Sequence, residues 1–255
     1  MSTSPSAMSL VELAERKQLP RHQFTDHSTV RWIEDNRPQF VEDVLLPLRE
    51  TSRQLLSRTA IPAAWLAEPQ LRDSLHGIRH AMRTAALAAL LAEVAGADET
   101  DTSTLIIAGA LHDCRRLHDK DDRGHGARAA HWVAEHADLV WAHFGLTPTA
   151  SAVSQAAISV RLHDVPYEDF TATNEADYAR ARQISDLVKA ADALDRYRLP
   201  KLRWWPNARH VRANGFVQLR ACAFDLVVWS EASHLRGLDS ASAVLAALER
   251  RELIG

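Results

Sequence analysis

Apolar residues recur at three-to-four spacing along most of the chain, a period that predicts helices. Residues 37–58, "RPQFVEDVLLPLRETSRQLLSR", follow it with Pro47 breaking or kinking the element. From about Leu75 the stretch "LHGIRHAMRTAALAALLAEVAG" reads as a strong Ala- and Leu-rich helix closed by Gly96. "DETDTSTLIIAGALHD" opens with capping residues and then turns apolar on all sides, which marks a buried helix. Gly124 and Gly126 interrupt the next loop before "ARAAHWVAEHADLVWAHF" resumes a helical period. Thr147 and Pro148 form an N-cap and first-turn pair for "TASAVSQAAISVRLHD". Asn174 with Glu175 starts "EADYARARQISDLVKAADALDRYR", which Pro200 ends; two more helices fall at about 217–235 and 241–253.

Period-two strands with hairpin turns are absent from the pattern. The expectation is therefore an all-α chain, with residues 1–30, which hold no sustained period, as a flexible N-terminal arm and 31–255 as one domain. Hydrophobic residues at 46% and charged residues at 25% suit a globular domain with a sizeable core. A net charge of −3 gives no argument for nucleic acid or an anionic membrane, and no apolar run is long enough to span one. Cys114 and Cys222 cannot build a disulfide framework and suit a reducing cytoplasm. No signal peptide is apparent at the N-terminus.

One segment alters this ordinary picture. Residues 109–132 place four histidines and four aspartates in twenty-four positions. His112 and Asp113 terminate the most apolar helix of the chain. Burying an unpaired carboxylate is costly, so Asp113 requires a cation, of which a metal ion is the simplest. Asp192, within the apolar "LVKAADAL", poses the same demand, although Lys189 or Arg196 could neutralise it. His80 lies inside its own helix, four residues after His76 and on the same face.

His80, then His112-Asp113, then Asp192, each on a separate helix, resemble the H…HD…D signature of the HD-domain metal-dependent phosphohydrolase superfamily. The contexts "HGIRHAMRTAALAALLAE", "AGALHD", "HGARAA" and "VKAADALDRYRL" look like the corresponding family segments, and the resemblance covers roughly residues 70–200. It implies a helical bundle of the HD type and a first metal held by His80, His112, Asp113 and Asp192. Imidazole and carboxylate ligands suit Mn, Fe, Co, Ni or Zn. Members with a second metal add two histidines between the HD pair and the last aspartate; His125 and His163 stand where those would fall, with Asp113 bridging, so two ions per chain are expected. Asp195 is a weaker rival for the ligand role that the family pattern gives to Asp192.

The chain departs from the family at one place. Where members read HD-(Ile/Leu)-Gly-(Lys/Arg), this chain reads His112-Asp113-Cys114-Arg115-Arg116. Cys114 reads as a small buried replacement for the aliphatic residue, and the geometry of the following loop is left open. Asp113, His76 and His118 are the candidate catalytic residues, while His131, six residues after His125, points elsewhere. Arg116, Lys189, Arg196 and Arg198 adjoin ligand positions and are candidates to bind phosphate. The stretch 196–212, with five arginines, Lys201, Trp204 and Trp205, reads either as a nucleobase-stacking surface or as a loop anchored by its tryptophans. The resemblance implies a cytoplasmic hydrolase acting on a small phosphorylated, nucleotide-like substrate. A diiron oxygenase cleaving a C–C or C–P bond with O₂ shares the ligand set, and a regulatory module with a degenerate site is the third possibility.

Overall fold

The computed structural model describes residues 8–42 and 46–255, and every regular element among them is helical. In chain order these are α1 (Leu10–Glu15), α2 (His27–Asp35), α3 (Glu50–Leu56), α4 (Ile78–Ala95), α5 (Glu99–Leu111), α6 (His125–Glu135), α7 (Ala137–His143), α8 (Ala150–Leu162), α9 (Ala172–Arg180), α10 (Arg182–Leu194), α11 (Arg220–Leu235) and α12 (Ser240–Arg250). The chain is all-α, as the hydrophobic period predicts. No helix among the described residues is long and apolar enough to cross a membrane.

The axis of the bundle is α4. Positions 78–92 are all buried, so this helix has no solvent face. Its alanines allow neighbours to come close, and α5, α10, α11 and α12 all pack on it. The tightest approach is that of α5, where Gly109 faces Ala85; a Cβ at 109 would stand 3.0 Å from the Ala85 Cα. α8 packs against α5 and α10, and α6 lies on α8. Gly96, at φ 64°, closes α4 in the left-handed conformation that an L side chain resists.

Several boundaries differ from the sequence expectation. The arm expected to be loose over 1–30 is docked from residue 9 onward, and residues 1–7 lie outside the described residues. Ser9 and Glu12 form a capping box for α1, and Leu10, Val11, Ala14, Thr29 and Val30 are buried. Each of these helices is too short to register as a sustained period, yet each buries one side. The helix expected over 37–58 is reduced to α3, because Pro38 and Pro47 each remove a backbone donor and disfavour helical conformation in the residue before them. Residues 43–45 of that stretch lie outside the described residues.

α4 starts at Ile78 rather than Leu75, so His76 precedes the helix instead of riding on it. The helix expected over 127–144 begins earlier, at His125, and divides at His136 into α6 and α7. Thr149, not Thr147, caps α8 by accepting from the Ala152 amide, and Thr171, not Asn174, caps α9. Ala181 separates α9 from α10. Both missed caps are threonines, Thr149 two residues after the expected position and Thr171 three before it, where the hydroxyl rather than the adjacent proline or acid decides the start.

Candidate metal centre

Five helices deliver their ends or interiors to one buried point. His80 projects from the first turns of α4, His112 is the C-cap of α5 with Asp113 following it, His163 is the C-cap of α8, and Asp192 lies near the end of α10. His125 opens α6. The six residues expected as ligands are thus brought together, although they come from positions up to 112 apart in sequence.

Every imidazole in the cluster has its Nδ1 committed. His80 Nδ1 lies 2.8 Å from Asp195 Oδ2. The Nδ1 atoms of His112, His125 and His163 lie 2.8, 2.8 and 2.6 Å from the carbonyl oxygens of Gly109, Asp122 and Val160. A carbonyl or a carboxylate only accepts, so each Nδ1 carries a proton, and a ring with that single proton presents its lone pair at Nε2. Those lone pairs meet. His80 and His112 place their Nε2 atoms 2.9 Å apart, and His125 and His163 place theirs 3.0 Å apart.

The surroundings of His112 Nε2 are acceptors throughout: His80 Nε2, Asp113 Oδ2 at 3.7 Å and Asp192 Oδ1 at 3.9 Å. Burial pushes the pKa of His112 down to about 3, so the ring does not relieve the contact by taking a second proton. His80 Nε2 lies 3.5 and 3.4 Å from the same two carboxylates, and Arg198 Nη2 approaches it at 3.3 Å. A tetrahedral ion with bonds of about 2.1 Å has ligand–ligand edges of about 3.4 Å. His80 Nε2, His112 Nε2 and Asp192 Oδ1, spaced at 2.9, 3.4 and 3.9 Å, match three corners of that polyhedron, and His112, Asp113 and His163 form a second group of ligand atoms within 4.8 Å of one another.

Asp113 divides its two oxygens. Oδ2 faces His80 and His112, while Oδ1 lies 2.9 Å from His125 Nε2 and 3.4 Å from His163 Nε2. Oδ1 is buried without a hydrogen-bond donor of its own. Burial opposes the charge on Asp113, but Arg116 and the histidines outweigh it and hold the carboxyl well below the usual range. Burial likewise opposes ionisation of Asp192, and His80, His112 and Arg198 lower its pKa regardless. Each group has one guanidinium at hand, Arg198 at the first and Arg116, somewhat closer, at the second. Arg116 Nη1 lies 3.1 Å from His125 Nε2 and 3.5 Å from Asp113 Oδ1, and Asp113 outweighs burial to raise the pKa of His125.

The remaining sequence candidates are spread around this centre. His76 lines the cleft above it, with Nδ1 2.7 Å from Asp119 Oδ1; burial, aided by Arg116 and Arg198, pushes its pKa down to about 4. His118 lies on the loop after the HD pair but is not among the residues lining the cleft. Arg116 lines it with its nitrogens largely committed, Nε to the His118 carbonyl and Nη2 to the Lys120 carbonyl. Lys189 does not pair with Asp192. It donates to the carbonyls of His163 and Val165 at the end of α8, and burial lowers its pKa to about 8. Arg196 donates through Nε to the Trp204 carbonyl, and Arg198 through Nε to that of Leu75. Cys114 is buried, and burial raises its thiol pKa. His131 is on the exposed face of α6, its side chain 84% accessible.

Asp195 does not take the place of Asp192; it stands behind His80 and orients it. Asp119 was not singled out by the sequence. Its carboxylate gathers His76, the Ser74 hydroxyl at 2.9 Å and the Gln23 amide at 2.8 Å. Asp164, 3.2 Å from His125 Nδ1, was also unforeseen, though it directly follows a candidate ligand. No protein-family model, curated protein or solved structure matches this chain.

Proposed function

We propose that this protein is a metal-dependent hydrolase of phosphate esters, of the HD-domain type, acting on a small nucleotide-like substrate. The observation that carries the reading is the His112 Nε2 lone pair, buried among acceptors alone at a point where two helices' imidazoles and two carboxylates converge. On this reading His80, His112, Asp113 and Asp192 hold one divalent transition ion, and His125, His163 and the other Asp113 oxygen hold a second. Such ions supply Lewis acidity and an activated water at neutral pH.

The rest of the chemistry falls to the side chains. His76 is anchored by Asp119 through Nδ1 and keeps Nε2 as an acceptor; being neutral at pH 7, it serves to take a proton from water rather than to give one to a leaving group. Arg198 faces Asp192 from within the site and balances its charge. The cleft above the cluster is cationic, which favours an anionic substrate over the neutral or hydrophobic ones that an oxygenase could also take. A cytoplasmic location belongs to the same proposal.

The test is anaerobic reconstitution of metal-stripped protein with Mn²⁺, followed by assay of phosphate release from a panel of nucleotides. Release is expected from at least one of them. Asp113→Ala should abolish both bound metal and turnover, whereas His131→Ala, on the exposed face of α6, should keep both. If iron alone restores turnover and O₂ is consumed in step with product, the oxygenase reading replaces this one. Near-normal metal content in Asp113→Ala would overturn the metal centre itself.

A further inference from the structure

The cluster occupies one end of a much larger cleft. Its volume of about 680 Å³ is that of a pocket for a whole organic ligand rather than for one phosphate group. The far wall is formed by Tyr167 and the stretch 203–212, and four guanidinium groups line the cavity around it: Arg196, Arg203, Arg209 and Arg212. Arg116 and Arg198, at the cluster, are paired with Asp113, Asp192 and Asp195. Among the described residues, by contrast, none of the four on the wall forms an ion pair with a carboxylate.

Two of these four are nonetheless held in place. Arg196 is tied through Nε to the Trp204 carbonyl at 2.8 Å. Arg212 lies with Cζ 3.9 Å from the centroid of the Tyr167 ring, and the Tyr167 hydroxyl is itself anchored on Asp186 at 2.5 Å. Arg212 also donates through Nη1 to the Tyr178 hydroxyl at 3.5 Å, and a guanidinium fixed in this way keeps its remaining in-plane N–H groups for an anion. Around the whole cleft seven Arg and Lys side chains face four Asp and Glu, and two of those four are Asp113 and Asp192 of the cluster. Like charges gathered on one cavity repel one another, a cost that a bound polyanion removes.

The same wall is not arranged for base stacking. Trp205 is buried, packed edge-on against Trp32, Tyr197 and Phe224. Trp204 already carries Lys201 Nζ 4.8 Å and Arg203 Cζ 5.9 Å from its ring centroid. Of the two sequence readings of 196–212, the loop anchored by a tryptophan is the one found, and what it offers the cavity is charge.

We infer that Arg196, Arg203, Arg209 and Arg212 form a second anion subsite, so that the substrate is an ester bearing at least two phosphate groups, one at the cluster and another at this wall. The inference rests on the hydrolase reading for the first phosphate and on the wall alone for the second. It is tested on metal-stripped Asp113→Asn protein, which does not turn over on that reading. Adenosine 5′-monophosphate, adenosine 5′-diphosphate and adenosine 3′,5′-bisphosphate are titrated in parallel by calorimetry at fixed ionic strength. At least one two-phosphate ligand should bind about tenfold tighter than the monophosphate, the scale of one charge-assisted contact.

Adding Arg209→Ala and Arg212→Ala should erase that advantage while leaving monophosphate affinity within about twofold, and Arg212→Lys should restore only part of it, since an ammonium lacks the planar fork. Circular dichroism establishes that the variants fold; both arginines are exposed, so they should. Equal affinity for all three ligands overturns the subsite, and so does an advantage that survives the double substitution. If the preference holds while Mn²⁺-loaded wild type releases no phosphate from any nucleotide, the subsite stands and the hydrolase reading falls.

Discussion

Asp195 accepts a 2.8 Å hydrogen bond from His80 Nδ1 while Arg83 grips the same carboxylate at 2.6 and 3.0 Å, all three side chains being buried. The arrangement continues inward. Arg83 reaches Glu231 at 2.7 Å, and Arg79 reaches the other Glu231 oxygen at 2.9 Å. A chain of alternating charges therefore runs from the candidate metal centre through α4 to α11. Asp195→Asn keeps the shape but replaces an acceptor with an amide that can turn its NH₂ toward His80, favouring the wrong tautomer. Metal affinity should fall by about 10–100-fold. Stability should fall as well, by about 3–5 kcal/mol, because Arg83 loses one of its two buried carboxylate partners. Equilibrium dialysis with metal analysis, and denaturant melts, check the two effects separately; unchanged metal affinity would show that Asp195 serves the fold alone.

Each group of ligands has a guanidinium beside it, and how closely each holds the ligand carboxylates ranks the two sites. Arg116 stands within 3.1 Å of His125 Nε2 and 3.5 Å of Asp113 Oδ1. An ion entering there has to displace or tolerate a guanidinium that also pairs with the shared carboxylate; Arg198, 3.3 Å from His80 Nε2, reaches Asp192 only at 3.9 Å. Metal titration of the stripped wild type should therefore show two steps, the weaker assigned to His125 and His163. Arg116→Ala should tighten the weaker step by about tenfold and leave the stronger within about twofold, since removing a like charge at this range is worth a kcal/mol or more. A single step unaffected by Arg116→Ala would count against a second ion.

Acid should destabilise the protein in two stages. Burial opposes the charge of Glu231, but Arg79 and Arg83 outweigh it and bring the carboxyl down to about 2, well below its unfolded value of about 4.3. The unfolded chain therefore takes up the proton first, so this contribution is complete above about pH 4.3 and is lost as pH falls towards 2. His76 acts earlier: burial, then Arg116, push it down to about 4 from an unfolded value of about 6.5. Its contribution is present above about pH 6.5 and drains as pH falls through 4. Melting temperature should begin to decline below about pH 6.5 and steepen below about 4.3. Glu231→Gln should be less stable at neutrality yet show a shallower slope in the lower range; an unchanged slope there would remove Glu231 from the account.

Much of this was legible before any coordinates. The period of apolar residues predicts the all-α chain, and an imidazole or carboxylate inside an apolar stretch marks His80, His112-Asp113 and Asp192, because burial of such groups demands compensation. His125 and His163 follow only from the family resemblance, and the structure brings them to the other oxygen of Asp113. What sequence could not show is pairing at long range. Asp119 sits in "LHDKDDRG", where it looks like any solvated charge, and only the docking of residue 23 and of His76 against it reveals its place. The docking of residues 9–30 escapes the sequence pattern for the same reason, since it depends on contacts roughly a hundred residues away, such as Gln23 to Asp119. Helical proximity leaves Lys189 open as a neutralising partner for Asp192, whereas the end of α8 offers it two carbonyls.

Gly109 sets the spacing on which the imidazole pair depends, and this bears on any attempt to make the protein more robust. A glycine within a helix costs about 1 kcal/mol relative to alanine, so it would rank high among positions to improve. Here the added methyl would press on the Ala85 backbone at 3.0 Å and force α4 and α5 apart, carrying His80 and His112 with them. The intrinsic preference of the helix and the separation of its two cargo residues pull in opposite directions at a single carbon atom. A redesign guided by helix propensity alone would choose this position, and the alanine it introduced would widen the gap between the two rings.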